Sequence, residues 1–201
     1  MLSAAWARSA LRLAPLLLAG CATLTPAQEE SLAEVRALAA ETARAYGRPP
    51  IHLLVSHNAQ GPPGSYRRGF FSVSALTLSS PFRDAIVAHE LGHYVLGHEA
   101  PLRGATTADL ERDYQQRELD ANAKAVEILA SVGGMSEVRA LKSVYTYLLG
   151  IRWALDRYPR LDLSGHKPPC EEIADLLSRF PDQRAWTAAL ECAPPDLGTP
   201  G

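Results

Sequence analysis

The stretch AIVAHELGHYVLGH, residues 85–98, contains the motif HELGH at residues 89–93. At about 100° per residue, positions 89 and 93 lie about 40° apart on a helix, so the imidazoles of His89 and His93 can bind one metal ion. Zinc takes neutral imidazole nitrogen well, and a catalytic zinc site has three protein ligands and a fourth position for water. The motif therefore predicts a helix that binds one Zn²⁺ per chain, with Glu90 as the general base for that water.

An ordinary buried helix that carries histidines by chance is the alternative interpretation of this stretch. The glycine inside the motif, Gly92, and the apolar residues around it favour the metal site. These apolar residues are Ile86, Val87, Leu91, Val95 and Leu96.

A third ligand has to come from another segment. His98 is nine residues beyond His89, so we expect it to face away from the metal and to interact with the carbonyl end of the helix. Glu118 is the better candidate, because it shares a helical face with Asn122, and Ala121 beside them permits a close approach between helices. Asn122 is predicted to accept a hydrogen bond from a ligating histidine. The rival carboxylates, which are alternatively solvated surface charges, are Glu111, Asp120 and Glu127.

The first twenty residues have the composition of a targeting segment. Arg8 and Arg12 precede a short apolar stretch at residues 13–19, and the sequence LAGC follows at residues 18–21. This tetrapeptide resembles the processing signal of bacterial lipoproteins. The resemblance implies that Cys21 becomes the lipid-modified first residue of the mature protein.

The predicted organisation follows from this signal. Residues 1–20 are a signal peptide, 21–27 a linker from the lipidated cysteine, 28–192 one folded domain and 193–201 a disordered tail. Ala22 after the cysteine is what similar outer-membrane lipoproteins carry, so we expect an outer-membrane lipoprotein that faces the periplasm. An ordinary secretory signal or a cytoplasmic N-terminal helix is the alternative.

Composition and cysteine usage set further bounds. The chain has 201 residues and a formal net charge of −2, which suits a single enzyme domain and does not indicate a nucleic-acid partner. Beyond Cys21 there are two cysteines, Cys170 and Cys192, and we expect them to form a disulfide. Zinc ligation by these thiols is the alternative, although neither belongs to a Cys-x-x-Cys pair.

Hydrophobic periodicity and turn residues predict a mostly helical chain. Helices are expected at residues 25–47, 81–97, 107–131, 136–158, 170–179 and 182–191, strands at 51–55 and 69–79, and a turn-rich loop at 58–65.

The HELGH motif followed by Glu118 resembles the gluzincin metallopeptidase pattern. The run HELGHYVLGH and the spacing Glu118-x-x-Ala121 are similar to the membrane-associated HtpX/BepA/LoiP type, which often carries a lipoprotein signal. The resemblance implies an α+β, zincin-like fold of the minimal gluzincin kind, with a small antiparallel or mixed sheet beside the active-site helix. In zincins the strand before that helix is commonly the sheet edge that binds extended substrate, here residues 69–79.

The segment LSGHKPP, residues 163–169, is similar to a Ser-Thr-His-Pro-like segment of that family. The resemblance implies that His166 lies near the zinc, where it either stabilises the oxyanion or occupies the open coordination site. This chain departs from the family at Asn122, where the family has aspartate, and at Lys167, where it has proline. The short gap between His93 and Glu118 is also similar to the ImmA/IrrE type, whose members are generally cytoplasmic.

These expectations combine into a zinc-dependent endopeptidase of the bacterial cell envelope. Its substrates would be polypeptides such as misfolded envelope proteins, and its membrane contact would be the lipid anchor at Cys21. Two alternatives stay open: a zinc-binding envelope lipoprotein that acts as a chaperone or assembly partner with little proteolysis, and an ImmA/IrrE-like regulatory protease.

Overall fold

The computed structural model describes residues 23–58, 61–67, 69–157, 165–183 and 192, and it has a mixed α+β architecture. The predicted signal peptide, Cys21 and the predicted tail at 193–201 lie outside the described residues, as does most of the helix expected at 182–191. The described elements are α1 (Pro26–Ala45), β1 (His52–Ser56), β2 (Gly64–Arg67), β3 (Phe70–Ser74), α2 (Arg83–Leu96), α3 (Thr107–Ser131), α4 (Glu137–Arg157) and α5 (Pro169–Arg179), with short 3-10 turns at Thr77–Ser79 and Pro181–Gln183.

Local sequence signals place the helix ends. At the start of α1 the Thr25 hydroxyl accepts a hydrogen bond from the Gln28 N–H, and the Gln28 side chain accepts one from the Thr25 N–H. This reciprocal pair satisfies two N–H groups that have no partner inside the helix. At the end of α2, Gly97 adopts φ +72°, a left-handed conformation that glycine adopts without a steric penalty.

The sheet has the strand order β1-β3-β2, with β1 parallel and β2 antiparallel to β3. Two predictions were wrong here. Strand β2 lies partly in the stretch predicted as loop, because the sequence GSYR lacks the apolar alternation by which strands are recognised. Strand β3 precedes α2, the helix with the HELGH motif, and was expected to be the edge of the sheet. It is the central strand, because β2 pairs with it on one side and β1 on the other.

Helix α2 lies at the centre of the molecule, since it packs against α1, α3 and α4 and against strands β2 and β3. Its apolar residues Val87, Ala88 and Leu91 are fully buried. Phe71 and Val73 of β3 belong to the same hydrophobic core. Helix α2, which carries the HELGH motif, is therefore a core helix. Its polar residues lie where the core opens toward solvent.

The contact between α2 and α3 is unusually close at Gly92. A Cβ atom added there would lie 2.8 Å from the Ala121 carbonyl oxygen and 3.2 Å from its Cα. Because both atoms belong to the backbone of α3, the neighbouring helix could accept a side chain only by moving away. A glycine at position 92 and a small residue at position 121 thus set the distance between the two helices.

Helix α5 packs on α3 and α4, and its first turn contains Cys170, which forms a disulfide with Cys192. The expected pairing of these cysteines is confirmed, and their ligation of zinc is excluded. The cross-link spans 22 residues, for which the chain-entropy model gives a stabilisation of about 3 kcal/mol. Within the described part of the chain, none of the helices combines the length and apolar character needed to cross a lipid bilayer.

Replacing Gly92 by alanine is expected to lower the free energy of unfolding by about 1–3 kcal/mol, because overpacking against a backbone outweighs the better helix propensity of alanine. Gly150→Ala on α4 is the matched control, since its added Cβ would meet only the far end of the Phe82 ring, at 3.0 Å. Urea unfolding of the metal-free proteins measures both changes. A Gly92→Ala protein as stable as the parent would contradict the steric argument.

Candidate metal centre

Three side chains from two helices converge on one point. His89 and His93 lie one turn apart on α2, and their Nε2 atoms are 3.1 Å apart. Glu118 of α3 places its Oε2 atom 3.2 Å from the His89 Nε2 and 3.4 Å from the His93 Nε2. The structure therefore brings the two predicted histidines and the predicted carboxylate together in one group that could hold a metal ion.

The donor set and its spacing fit zinc. Ligand atoms bonded to zinc at about 2.0–2.1 Å in tetrahedral geometry lie roughly 3.3–3.4 Å from one another, close to the separations in this group. Two imidazole nitrogens and one carboxylate oxygen also form a common ligand set of catalytic zinc sites. His89 and Glu118 are 7% and 4% exposed, so an ion bound here would be held among largely desolvated ligands. The geometry therefore supports a metal site.

The rival carboxylates of α3 lie away from this point. Glu111 and Glu127 are exposed, and Glu127 forms an ion pair with Lys124. Asp120 is bound by Arg179 of α5 at 2.8 Å. Glu118 is the buried carboxylate of α3, as the small residues beside it in the sequence indicated.

Each histidine ligand has a partner for its second nitrogen. The His89 Nδ1 lies 2.9 Å from the Asn122 Oδ1, the interaction predicted for Asn122. The His93 Nδ1 lies 2.8 Å from the His98 Nδ1. His98 is outside the metal-binding group, yet the expectation that it faces away was wrong. The helix ends at Leu96, and the left-handed Gly97 turns the chain so that His98 folds back onto His93.

Electrostatics favour an ionised carboxylate within the group. Burial by itself would raise the pKa of Glu118, but hydrogen bonds with His89 and His93 outweigh burial and lower it. Burial would also lower the pKa of His89, and the adjacent Glu118 raises it to about 9. Burial, together with the charges of His93 and Arg117, lowers the pKa of His98 to about 4, which leaves a neutral ring that can accept the His93 Nδ1–H.

Glu90 lies beside this group and is held from strand β2. Burial raises its pKa, and the charges of His89 and His93 partly oppose this increase. The backbone of Tyr66 in β2 forms a hydrogen bond with the Glu90 carboxylate. Gly64 permits the contact, because a Cβ atom there would lie 2.9 Å from the Glu90 Cγ. Sequence reasoning missed both β2 residues, although the glycine at position 64 was a signal for a close approach.

His166 also reaches the metal-binding group, from the turn before α5. Its Nε2 lies 3.7 Å from the Glu118 Oε2, and its Nδ1 lies 3.2 Å from the Glu172 Oε1. Burial lowers the pKa of His166, but its hydrogen bond with Glu172 and the charge of Glu118 outweigh burial and raise it. Glu172 is 3% exposed and was missed by sequence reasoning, because a glutamate in the first turn of an amphipathic helix resembles a surface charge.

The group opens into a cleft of about 1260 Å³. Strand β2 forms one wall, and the loop that follows α2 forms another. Arg117 fixes this loop by donating hydrogen bonds to the carbonyl oxygens of His98, Ala100 and Pro101. Apolar and aromatic side chains complete the lining, among them Leu76, Phe82, Leu102, Tyr114, Tyr147 and Ile151.

Comparison of the chain with protein-family models, with curated proteins and with solved structures finds no match.

Replacing Glu118 by glutamine is expected to weaken zinc binding more than about 100-fold. Loss of a residue that hydrogen-bonds to a metal ligand typically lowers metal affinity 10–100-fold, and here a ligand itself loses its charge. Elemental analysis and a competition titration with a chromophoric chelator measure the effect. Glu111→Gln, on the exposed face of the same helix, is the control and should bind zinc like the parent. Equal zinc affinity in both variants would remove Glu118 from the ligand set.

Proposed function

We propose that this protein is a zinc-dependent metalloendopeptidase with a zincin-like fold, in which His89, His93 and Glu118 hold the metal. The observation that carries the proposal is the convergence of these three donors at an opening of the core that Glu90, on the same helix as the two histidines, also lines. A buried ion site without an adjacent base would suit a structural role equally well. The flanking carboxylate favours hydrolysis.

Zinc in this site would supply a Lewis acid for the scissile carbonyl and lower the pKa of a water molecule to about 7. Glu90 would take the proton from that water and later donate it to the leaving amine. Its carboxylate suits both steps, because burial raises its pKa and the Tyr66 backbone holds it in place. His166 would donate a hydrogen bond from Nε2 to the oxygen on which negative charge develops.

The shape of the cleft supports a polypeptide as the substrate. It is an open groove rather than an enclosed chamber, and one wall is β2, which lies at the edge of the sheet. An extended peptide can add to such an edge through main-chain hydrogen bonds. Apolar residues such as Phe82 and Ile151 favour exposed hydrophobic segments, the kind that misfolded envelope proteins present.

We place this activity in the cell envelope. The Cys170–Cys192 disulfide supports an oxidising compartment such as the periplasm, since disulfides are rare in the cytosol. For the same reason it disfavours the cytoplasmic ImmA/IrrE-like alternative. The anchor at Cys21 and the outer-membrane location remain part of the proposal and depend on the resemblance of LAGC to a lipoprotein signal.

A second candidate function is a zinc-binding chaperone or assembly partner with little proteolysis. The observation in its favour is the position of His166, whose Nε2 is 3.7 Å from the Glu118 oxygen. A fourth protein ligand would give a closed site, which is the arrangement of structural zinc. The three donors that converge are His89, His93 and Glu118, and His166 lies outside that group, which favours the peptidase with an open coordination position.

Glu90→Gln is expected to retain zinc and to lower the rate of cleavage of an unfolded protein by at least about 100-fold, because glutamine cannot accept the proton of the attacking water. Zinc content and the cleavage of fluorescently labelled unfolded casein are measured together. The control is Glu41→Gln on the exposed face of α1. Cleavage at the parent rate by the Glu90→Gln protein would exclude the proposed mechanism.

His166→Ala is expected to lower kcat about 100-fold with little change in zinc content, since it removes one donor to the developing oxyanion. The same cleavage assay, run over a range of substrate concentrations up to saturation, separates kcat from KM. Faster cleavage after this substitution would identify His166 as a ligand that closes the site. A zinc-loaded parent and a zinc-loaded His166→Ala protein that both fail to cleave would favour the chaperone or assembly function.

A further inference from the structure

Glu172 is a buried carboxylate that the proposed hydrolysis does not use. It lies on α5, is 3% exposed, and is approached by two polar side chains. Its Oε2 accepts a hydrogen bond from the Asn122 Nδ2 at 3.0 Å, and its Oε1 lies 3.2 Å from the His166 Nδ1. A carboxylate with both oxygens engaged inside the protein has a defined hydrogen-bonding role as well as a packing role.

The hydrogen bond to Asn122 determines which end of that amide faces His89. The Asn122 Nδ2 donates to the Glu172 Oε2, so the NH₂ group of Asn122 faces Glu172. The amide oxygen must then face the His89 Nδ1, from which it is 2.9 Å away. Without Glu172, Asn122 could turn by 180° and present its NH₂ group to His89 instead.

The amide orientation in turn determines the tautomer of His89. A histidine that binds a metal is neutral, and in that form an amide oxygen at 2.9 Å accepts the proton held on Nδ1, which leaves the lone pair of Nε2 directed at the metal-binding group. A reversed amide would favour the other tautomer, with the proton on Nε2, where it would compete with a metal ion. Asn122 is 1% exposed, so water cannot compensate for a reversed amide by forming the missing hydrogen bonds.

We propose that Glu172 is a positioning residue for the metal site, which orients the Asn122 amide and thereby keeps the metal-binding tautomer of His89. This inference rests on the proposed metal site and not on the proposed peptidase activity. The connection runs from α5 through α3 to α2, over hydrogen bonds that join residues 50 and 33 positions apart. Helix α5 is itself anchored by the disulfide at Cys170, two residues before Glu172.

The first test is Glu172→Gln in the full chain, stripped of metal and titrated with Zn²⁺ against a chromophoric chelator. Glutamine keeps the size of the side chain but can present either an oxygen or an NH₂ group to Asn122, so the amide loses its preferred orientation. Zinc affinity is expected to fall about 10–100-fold, the usual effect of losing an outer partner of a ligand. Glu171→Gln, on the exposed neighbour, is the control and is expected to bind zinc like the parent.

The decisive test is rescue by the double variant Asn122→Asp with Glu172→Gln. An aspartate at position 122 presents an oxygen to His89 in either orientation, and the glutamine at position 172 can donate to its other oxygen. The double variant is expected to bind zinc within a few-fold of the parent. Asn122→Asp by itself measures the effect of the added charge, so the gain from aspartate should be larger when it is added to the Glu172→Gln protein than when it is added to the parent.

Spectroscopy separates positioning from a purely structural role. Co²⁺ bound to the Glu172→Gln protein is expected to show altered visible absorption bands, and the double variant is expected to restore them. Parent-like zinc affinity and Co²⁺ bands in Glu172→Gln, with a lower melting temperature alone, would overturn the proposal. Equal gains from Asn122→Asp in the parent and in the Glu172→Gln protein would overturn it as well.

Two further outcomes keep the inference distinct from the proposed function. If Glu172→Gln does not fold, the proposal is tested with the double variant alone. A zinc affinity of the double variant that is tenfold or more below that of the parent then overturns the proposal. A parent protein that binds zinc and responds as described, yet cleaves no protein, leaves the positioning role standing and removes the peptidase function.

Discussion

The close approach of α2 to α3 at Gly92 and Ala121 is the constraint on which the rest of the structure depends. A side chain at position 92 would meet backbone atoms of α3 at 2.8 Å, so the two helices touch with no side chain between them. This contact brings the Glu118 carboxylate within 3.4 Å of both imidazoles on α2. Van der Waals packing of small residues thereby sets the geometry of a polar site, because ligand positions follow rigidly from helix positions.

Placing charges inside the core requires compensation, and the structure supplies it through shared hydrogen bonds. Glu118 and Glu172 are both nearly inaccessible to water, and each contacts side chains that can donate hydrogen bonds to it. Desolvation of two carboxylates would otherwise cost several kcal/mol each. A cation bound between His89, His93 and Glu118 would add further compensation, so metal binding and the stability of this region are expected to be coupled.

The outline of the fold was largely predictable from local patterns. The start of α1 at Thr25 and the bounds of α3 at Thr107–Ser131 agree with the sequence prediction, because helix starts and helical periodicity depend on residues within four positions of one another. The central place of β3 was not predictable, because β2 has no apolar alternation and its pairing partner is decided by tertiary contacts. His98 was misplaced because an ideal helix was extended past Gly97, where the chain reverses.

The sequence by itself determined that two imidazoles and a carboxylate share one side of a buried helix, since that follows from 3.6 residues per turn. It also pointed to Glu118, through small neighbours that indicate close helix packing. Only the tertiary structure decided which of the two histidines Asn122 faces, that Glu172 is buried against both Asn122 and His166, and that β2 reaches Glu90. The physical reason is that burial and hydrogen-bond orientation arise between residues tens of positions apart, whose approach is set by packing of the whole core rather than by local periodicity.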